Sequence, residues 1–272
     1  MLPKVQTVLL EIAREIKRVC EENHIRYFLY RGTFLGAVRH QGFIPWDDDM
    51  DFAMLREDYE KFRRIAPQKM DPRFCFQDWH TDPEYAHPFG KVRMRGTRYV
   101  EAKCRPLEEN GFYVDIYPLD FAPQQEQARR KLARQQLHLY RVKLMKSRYT
   151  TWMEGDRVIL KKRIGYLLYQ FIALFVSQKK LIETYERISR QPESDTLYEQ
   201  SALPISYYFP ASWYEASRDY PFAGCSFPGP QDADSCLSRL YGNYMELPPE
   251  GQRENRHQIM EMDFGTAFPQ EG

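Results

Sequence analysis

Cysteine is sparse and unpatterned here. Five residues, Cys20, Cys75, Cys104, Cys225 and Cys236, are scattered with no C-x-x-C pair. That argues against a disulfide framework or a structural zinc site and points to a reducing, cytoplasmic setting. A leader pattern is missing too: MLPKVQTVLLEIAREIKRV carries charge throughout its apolar positions and reads as a helix rather than a signal peptide. The apolar stretch IGYLLYQFIALFVS, residues 164–177, has fourteen residues, too few for the ~20 that a membrane-spanning helix needs. Net charge is almost absent, at +1, but the balance is local. Between Arg129 and Lys180 there are fourteen Lys or Arg against two acids, Glu154 and Asp156, a balance of +12 that leaves −11 for the remainder. One segment is therefore built to meet negative charge.

What is abundant is aromatic: 19 Tyr and 17 Phe favour large buried faces and leave rings for a ligand pocket. Val5, Val8, Leu9, Ile12, Ile16 and Val19 recur at helical spacing and predict an amphipathic helix over residues 4–22. IRYFLYRG reads as a strand, and TFLGAVRH as a helical turn that Thr33 would cap. DDMDFAML reads as a second strand and REDYEKFRRIA as a helix. RFCFQDW, FGKVRM, TRYVEA and GFYVDIYPLD add strands, whereas most of 124–190 reads as helices. This order predicts an α+β fold with a mixed sheet flanked by helices. The expected division is a core at 1–122, a basic helical segment at 123–192, and a C-terminal hairpin and helix elaboration at 193–272 packed on that core.

GFIPWDDDMDF, residues 42–52, places four aspartates in five consecutive positions. It is either a solvated acidic loop or a strand end that holds a divalent cation. In a strand Asp47, Asp49 and Asp51 share a face, and same-face neighbours about 7 Å apart repel by roughly 2 kcal/mol at an effective dielectric near 20. Trp46, Met50, Phe52 and Met54 are residues for a buried strand and favour the metal reading, with Mg²⁺ best suited to carboxylates and substrate phosphates together. Upstream, Gly32 and Thr33 stand where a strand meets a helix, a place for backbone and hydroxyl to approach phosphate. Asp115, alone in the apolar Tyr113–Tyr117 stretch, is costly unless ligated or paired.

These residues resemble the LicD family of phosphocholine transferases, which includes the fukutin-related proteins. YFLYRGTFLGAVRHQGFIPWDDDMDFAMLREDYEKF carries the resemblance, supported by FGKVRMRGT, GFYVDIYPLD and YGNYMELPPEGQRENRH. It spans residues 25–120, touches the C-terminal part, and covers 124–190 poorly. The resemblance implies a nucleotidyltransferase fold similar to DNA polymerase β, with Gly32 and Thr33 at the phosphate turn, Asp49 and Asp51 as the D-x-D, and Asp115 as third acid. Asp47-Asp48-Asp49 is the competing register; Met50 and Phe52 supply the alternation that favours Asp49 and Asp51. The implied cofactor is Mg²⁺, with Mn²⁺ as alternative. The implied reaction moves phosphocholine from CDP-choline to a hydroxyl of a cell-surface glycan or its lipid-linked precursor. Alternatives are a CDP-ribitol or CDP-glycerol transferase, a nucleotidyltransferase making an activated CDP or UDP compound, and a non-catalytic binding protein.

Supporting residues carry two readings each. Arg39 reaches donor phosphates or ends a solvated helix; Lys91 contacts phosphate, with Arg93 on the same face. Trp46 closes on a quaternary ammonium or belongs to the core. Arg253, Arg256 and His257 cap the site from the C-terminal part or are solvated. Residues 164–177 form a core helix or an interfacial one, in which case the protein sits peripherally on an anionic membrane. Nucleic acid is not an expected partner.

Overall fold

In a computed structural model of the chain, residues 1–102, 110–149, 160–200, 207–254 and 257–268 are described, without the side chains of 160–162 and 266. Helix α1 (Leu2–Glu22) starts on Pro3, where a missing N–H costs nothing, and buries the predicted stripe from Val5 to Val19. Strand β1 (Phe28–Leu29) is only two residues long, because the chain turns at once into α2 (Arg31–His40). The cap of α2 is Tyr30, not Thr33; Thr33 lies inside the first turn, where its hydroxyl serves a tertiary bond described below. Strand β2 (Asp51–Leu55) is shorter than expected. The turn at Pro45–Trp46, closed by Asp47 N–H donating to the Ile44 carbonyl at 2.9 Å, keeps residues 47–50 out of the extended ladder.

Helix α3 (Arg56–Lys69) follows, then β3 (Phe74–Gln77), β4 (Gly90–Met94), β5 (Arg98–Glu101) and β6 (Tyr113–Phe121). The basic segment forms α4 (Glu126–Lys146), α5 (Leu160–Phe175) and α6 (Gln178–Ser189). Beyond it come β7 (Thr196–Glu199), β8 (Tyr208–Pro210), the hairpin β9 (Ser217–Phe222) and β10 (Cys225–Pro230), α7 (Ala233–Tyr241) and β11 (Ile259–Asp263).

Seven strands make one mixed sheet in the order β1-β2-β6-β4-β3, with β7 and then β8 continuing from the far half of β6. The pairing of β2 with β6 is parallel and the others are antiparallel. A mixed, helix-flanked sheet agrees with the α+β expectation. Strand β6 is its axis and is buried over eight of nine residues. Val114 and Ile116 point to one face, where α1 and α3 contribute Ile12, Ile16 and Phe62 to the main core. Tyr113, Asp115 and Tyr117 point to the other. The hairpin closes the core through Phe222 and Phe227, the latter against Phe52 at 5.6 Å. Strand β11 pairs with β5 in a separate ribbon, which brings the C-terminal part back over the core.

Two polar knots join the helical segment to the sheet. Asp120 accepts from Arg56 at 2.8 and 2.6 Å and from Gln200 at 2.6 Å, and Gln200 in turn accepts from the Tyr185 hydroxyl of α6 at 2.9 Å. Gln136 of α4 donates to Ser189 and to the Tyr198 hydroxyl at 2.7 and 3.1 Å. Nearby, His87 lies between the hydroxyls of Tyr140 and Tyr149 at 3.0 and 3.1 Å, and burial pulls its imidazole down to about 3.

Replacing Asp120 by Ala leaves the Arg56 guanidinium with only Glu60 at 3.4 Å and is expected to cost about 3 kcal/mol, measured as a lowered denaturation midpoint in urea with an unchanged slope. His87 gives a pH signature. Between about 6.5 and 3 the unfolded chain binds a proton that the folded chain refuses, so stability falls on acidification by up to about 1.4 kcal/mol per pH unit. His87→Phe should flatten that slope; an identical slope in the variant would remove His87 from the acid response.

Candidate functional site

The parallel register sets Asp51 of β2 opposite Asp115 of β6, and the antiparallel register sets Asp115 opposite Lys91 of β4. Three charged side chains thus stand in a row across three adjacent strands. All three are buried. Lys91 Nζ lies 2.8 Å from Asp115 Oδ1 and 3.2 Å from the centre of the Tyr113 ring, so its charge is spent inside the protein. The Tyr117 hydroxyl donates to Asp115 Oδ2 at 3.3 Å. Arg93, on the same face, donates to Gln77 and to the Gly111 carbonyl at 2.6 and 2.8 Å. Neither base lines the open cleft, contrary to the expectation of a phosphate contact from Lys91.

That cleft, about 720 Å³, lies at the edge of the row. Its floor is Asp47, Asp48, Asp49 and Asp51, its inner wall Arg31 and Gly32, and its outer lip the segment Tyr241–Glu254. Asp51 is pinned by a buried bond, its backbone N–H donating to Thr33 Oγ1 at 2.8 Å. Thr33 therefore positions the D-x-D strand and is turned from the cleft. Gly32 is needed for closeness, since a Cβ there would stand 3.1 Å from Asp47 Oδ2. Gly36, one turn on, packs against the loop so closely that a Cβ would fall 2.5 Å from the Gly42 carbonyl oxygen.

The acids divide by their partners. Asp48, although in the floor, accepts from the Tyr99 hydroxyl at 2.5 Å and meets His257 Nδ1 at 2.8 Å. The hydrogen bond to Asp48 holds His257 up, at about 9, so the imidazole is positively charged at neutral pH. Its other nitrogen lies 3.9 Å from Asp49 Oδ2. Asp47, Asp49 and Asp51 remain as a mutually repelling set. Burial and the Asp49 carboxylate push Asp47 up to about 8, and burial followed by Asp49 raises Asp51 well above the ordinary range. Asp49 is raised by burial as well.

Arg31 was not among the residues singled out from the sequence. Its backbone takes a left-handed φ of 46°, which aims the guanidinium over the Tyr117 ring at 4.5 Å and onto Glu199 of β7, with Nε donating at 3.0 Å. Glu199 also accepts from the Tyr30 hydroxyl at 2.5 Å. The charge of Arg31 acts on Asp51. A bulky residue at positive φ is strained, and only the assembled sheet shows where the strain is relieved. Glu199 lies in a stretch with no motif to signal it.

Of the other candidates, Arg39 lines the cleft but donates to the Tyr244 and Glu246 carbonyls at 2.8 and 3.3 Å, fastening the lip. Trp46 also lines it, half-buried, with the Arg253 guanidinium 5.8 Å from its ring. His257 reaches the acids because the β5–β11 ribbon carries the C-terminal part across. Arg256 lies outside the described residues.

Among the described residues no three His, Cys, Asp or Glu side chains already converge as a metal cage. Asp115 is engaged by Lys91 and Asp48 by His257, which leaves Asp49 and Asp51 with Asp47 beside them. Two carboxylates with room for phosphate and water fit a hard divalent cation such as Mg²⁺, which keeps part of its shell from substrate.

The family model and the relatives point to a class. Residues 24–147 match the model of the LicD/FKTN/FKRP nucleotidyltransferase domain. Over 267 residues, 94% of this chain and 96% of the relative, it is 27% identical to the lipopolysaccharide cholinephosphotransferase LicD of Haemophilus influenzae. Over 50 residues, 18% of this chain and 10% of the relative, it is 46% identical to the ribitol 5-phosphate transferase FKRP of Homo sapiens. An uncharacterized protein of Rickettsia typhi is 43% identical over 60 residues, 22% of this chain and 19% of that one.

If the carboxylates are held against their own repulsion, Asp51→Asn should stabilise the metal-free protein by on the order of 1–2 kcal/mol at pH 8. Millimolar Mg²⁺ should raise the melting temperature of the unaltered protein, and the same substitution should erase that rise. A loss of stability in Asp51→Asn without metal would contradict the repulsion.

Proposed function

We propose that this protein is a metal-dependent transferase that moves phosphocholine from CDP-choline to a hydroxyl of a cell-surface glycan or its lipid-linked precursor, releasing CMP. The coarser part, transfer of a phosphate-bearing group to a glycan, draws support from the family-model match and from the likeness to LicD along nearly the whole chain. The observation that carries the reading is the convergence of Asp49 and Asp51 on one open cleft, beside the first turn of α2 and opposite a fastened lip.

In this reading Asp49 and Asp51 hold the metal. A bound Mg²⁺ or Mn²⁺ supplies Lewis-acid neutralisation of the diphosphate and of the departing CMP. Thr33 keeps Asp51 in place through its backbone N–H, and Gly32 lets the donor phosphates approach the start of α2, where backbone N–H groups favour anions. Asp115 is engaged by Lys91 and Tyr117, an arrangement that suits a fixed countercharge behind Asp51 better than a mobile proton acceptor. The acceptor oxygen attacks the phosphorus that bears choline, in line with the bond to CMP, and its proton passes to a carboxylate of the run. The charged His257 holds Asp48 out of the metal set and closes the floor of the cleft.

A second donor, CDP-ribitol, is favoured by the 46% identity to FKRP over 50 residues. Release of CMP from CDP-choline, CDP-ribitol and CDP-glycerol in the presence of Mg²⁺ separates the readings. One donor should give a signal that Asp49→Ala and Asp51→Ala each reduce at least about a hundredfold while the far-ultraviolet spectrum is unchanged. Full turnover in either variant would remove the assignment. Silence with all three donors, and no binding of any, would remove the CDP-linked class.

A further inference from the structure

Among the described residues, a stripe of exposed apolar side chains lies away from the cleft. One side of α5 packs inward: Tyr169, Ile172 and Ala173 join Leu139, Val142 and Met145 of α4 and Leu181 of α6. On the opposite side Ile164, Leu167, Leu168, Phe171, Leu174 and Phe175 are exposed by 57 to 77%. Their spacing of three and one places them in a single stripe along the helix, and the rings of Phe171 and Phe175 touch edge to face at 5.1 Å. Six large apolar side chains exposed in one contiguous stripe, rimmed by charge, are the pattern of a docking face. The expectation of a core helix at 164–177 is thus half right, since one face is core and the other has no cover among the described residues.

Charge tells what the face meets. From residue 157 to 182 there are six Lys or Arg and no acid. Arg163 precedes the stripe, and Lys179 and Lys180 follow it; all three are exposed. Arg141 of α4, also exposed, stands over the Tyr169 ring at 5.6 Å. Lys179 meets Glu183 at 4.0 Å, and that pair is open to solvent, where it is worth little. A second copy docked through the same face would bring both sets of cations together, which disfavours a symmetric dimer.

We propose that the outward face of α5 lies in the surface of an anionic lipid bilayer, its Leu and Phe side chains among the acyl chains and its flanking Arg and Lys at the phosphates. At 16 residues α5 is about 24 Å long, shorter than the ~30 Å hydrocarbon core, and no helix among the described residues is long and apolar enough to cross a membrane. The helix therefore lies in the interface plane, as an apolar face bracketed by cations does. This inference stands on α5 alone and does not depend on the donor or on the metal, because none of these residues lines the cleft.

The test is sedimentation of the full chain with vesicles of phosphatidylglycerol and phosphatidylcholine, or of phosphatidylcholine alone. Binding should be at least tenfold tighter to the anionic vesicles and should weaken at about 0.5 M salt, where the Debye length is a few ångströms. Leu167→Glu/Phe171→Glu should stay in the supernatant, and Lys179→Ala/Lys180→Ala should bind but release at lower salt, both with melting temperatures at or above that of the unaltered protein. The proposal fails if the unaltered protein ignores anionic vesicles or if Leu167→Glu/Phe171→Glu sediments as it does. It fails equally if the unaltered protein, without binding lipid, forms a dimer that this variant dissociates; α5 would then be an interface between copies.

Discussion

The parallel pairing of β2 with β6 places two carboxylates side by side inside a sheet, and much of the surrounding structure answers that placement. Strands about 4.8 Å apart hold in-register side chains near each other, where two unit charges repel by roughly 3 kcal/mol at an effective dielectric near 20. Three cations are arranged against this repulsion, each in a different way. Lys91 comes from the next strand and pairs with Asp115 directly. Arg31 comes from the start of α2 and acts on Asp51 while bonded to Glu199. His257 returns from the C-terminal part and takes Asp48. The balance is left incomplete at Asp47, Asp49 and Asp51, whose carboxyls are all pushed upward. A fold built for stability alone would replace such a set with neutral residues, and a cluster kept at this cost belongs to function.

The cleft is shaped by the same economy of position. Its inner wall cannot move far, because the Thr33 hydroxyl holds Asp51 and Gly36 packs on the Gly42 backbone. Its lip depends on longer-range fasteners: Arg39 holds two carbonyls there, and the β5–β11 ribbon fixes the chain just beyond it. The inner wall is thus rigid, whereas the lip is held by a few hydrogen bonds. The helical segment is joined to β7 by Gln136 and, through Tyr185, Gln200 and Asp120, to β6 and α3, so the exposed face of α5 is carried on a part of the protein tied to the main sheet.

Periodicity located most elements as far as α6, since the stripes of α1, the basic helices and the β6 pattern are local and strongly apolar, but it placed none of β7, β8 and β11. The misplacements occurred where tertiary bonds outweigh pattern. Thr33 has the chemistry of a helix cap but serves the backbone of Asp51, and the aspartate run has the alternation of a strand but begins its ladder only at Asp51. Lys91 reads as a phosphate ligand until the register puts Asp115 against it.

By itself the sequence determined the acids, the glycine-threonine turn, the apolar faces and the charge asymmetry, because each is a property of residue type and spacing within a few turns of chain. It also contained Arg31 and Glu199, but nothing local marks two residues 168 positions apart as partners. Which carboxylates face the cleft, which are neutralised, and which apolar face stays in water were decided by strand register and helix packing. Those are long-range choices, made when β6 accepts β2 on one side and β4 and β7 on the other.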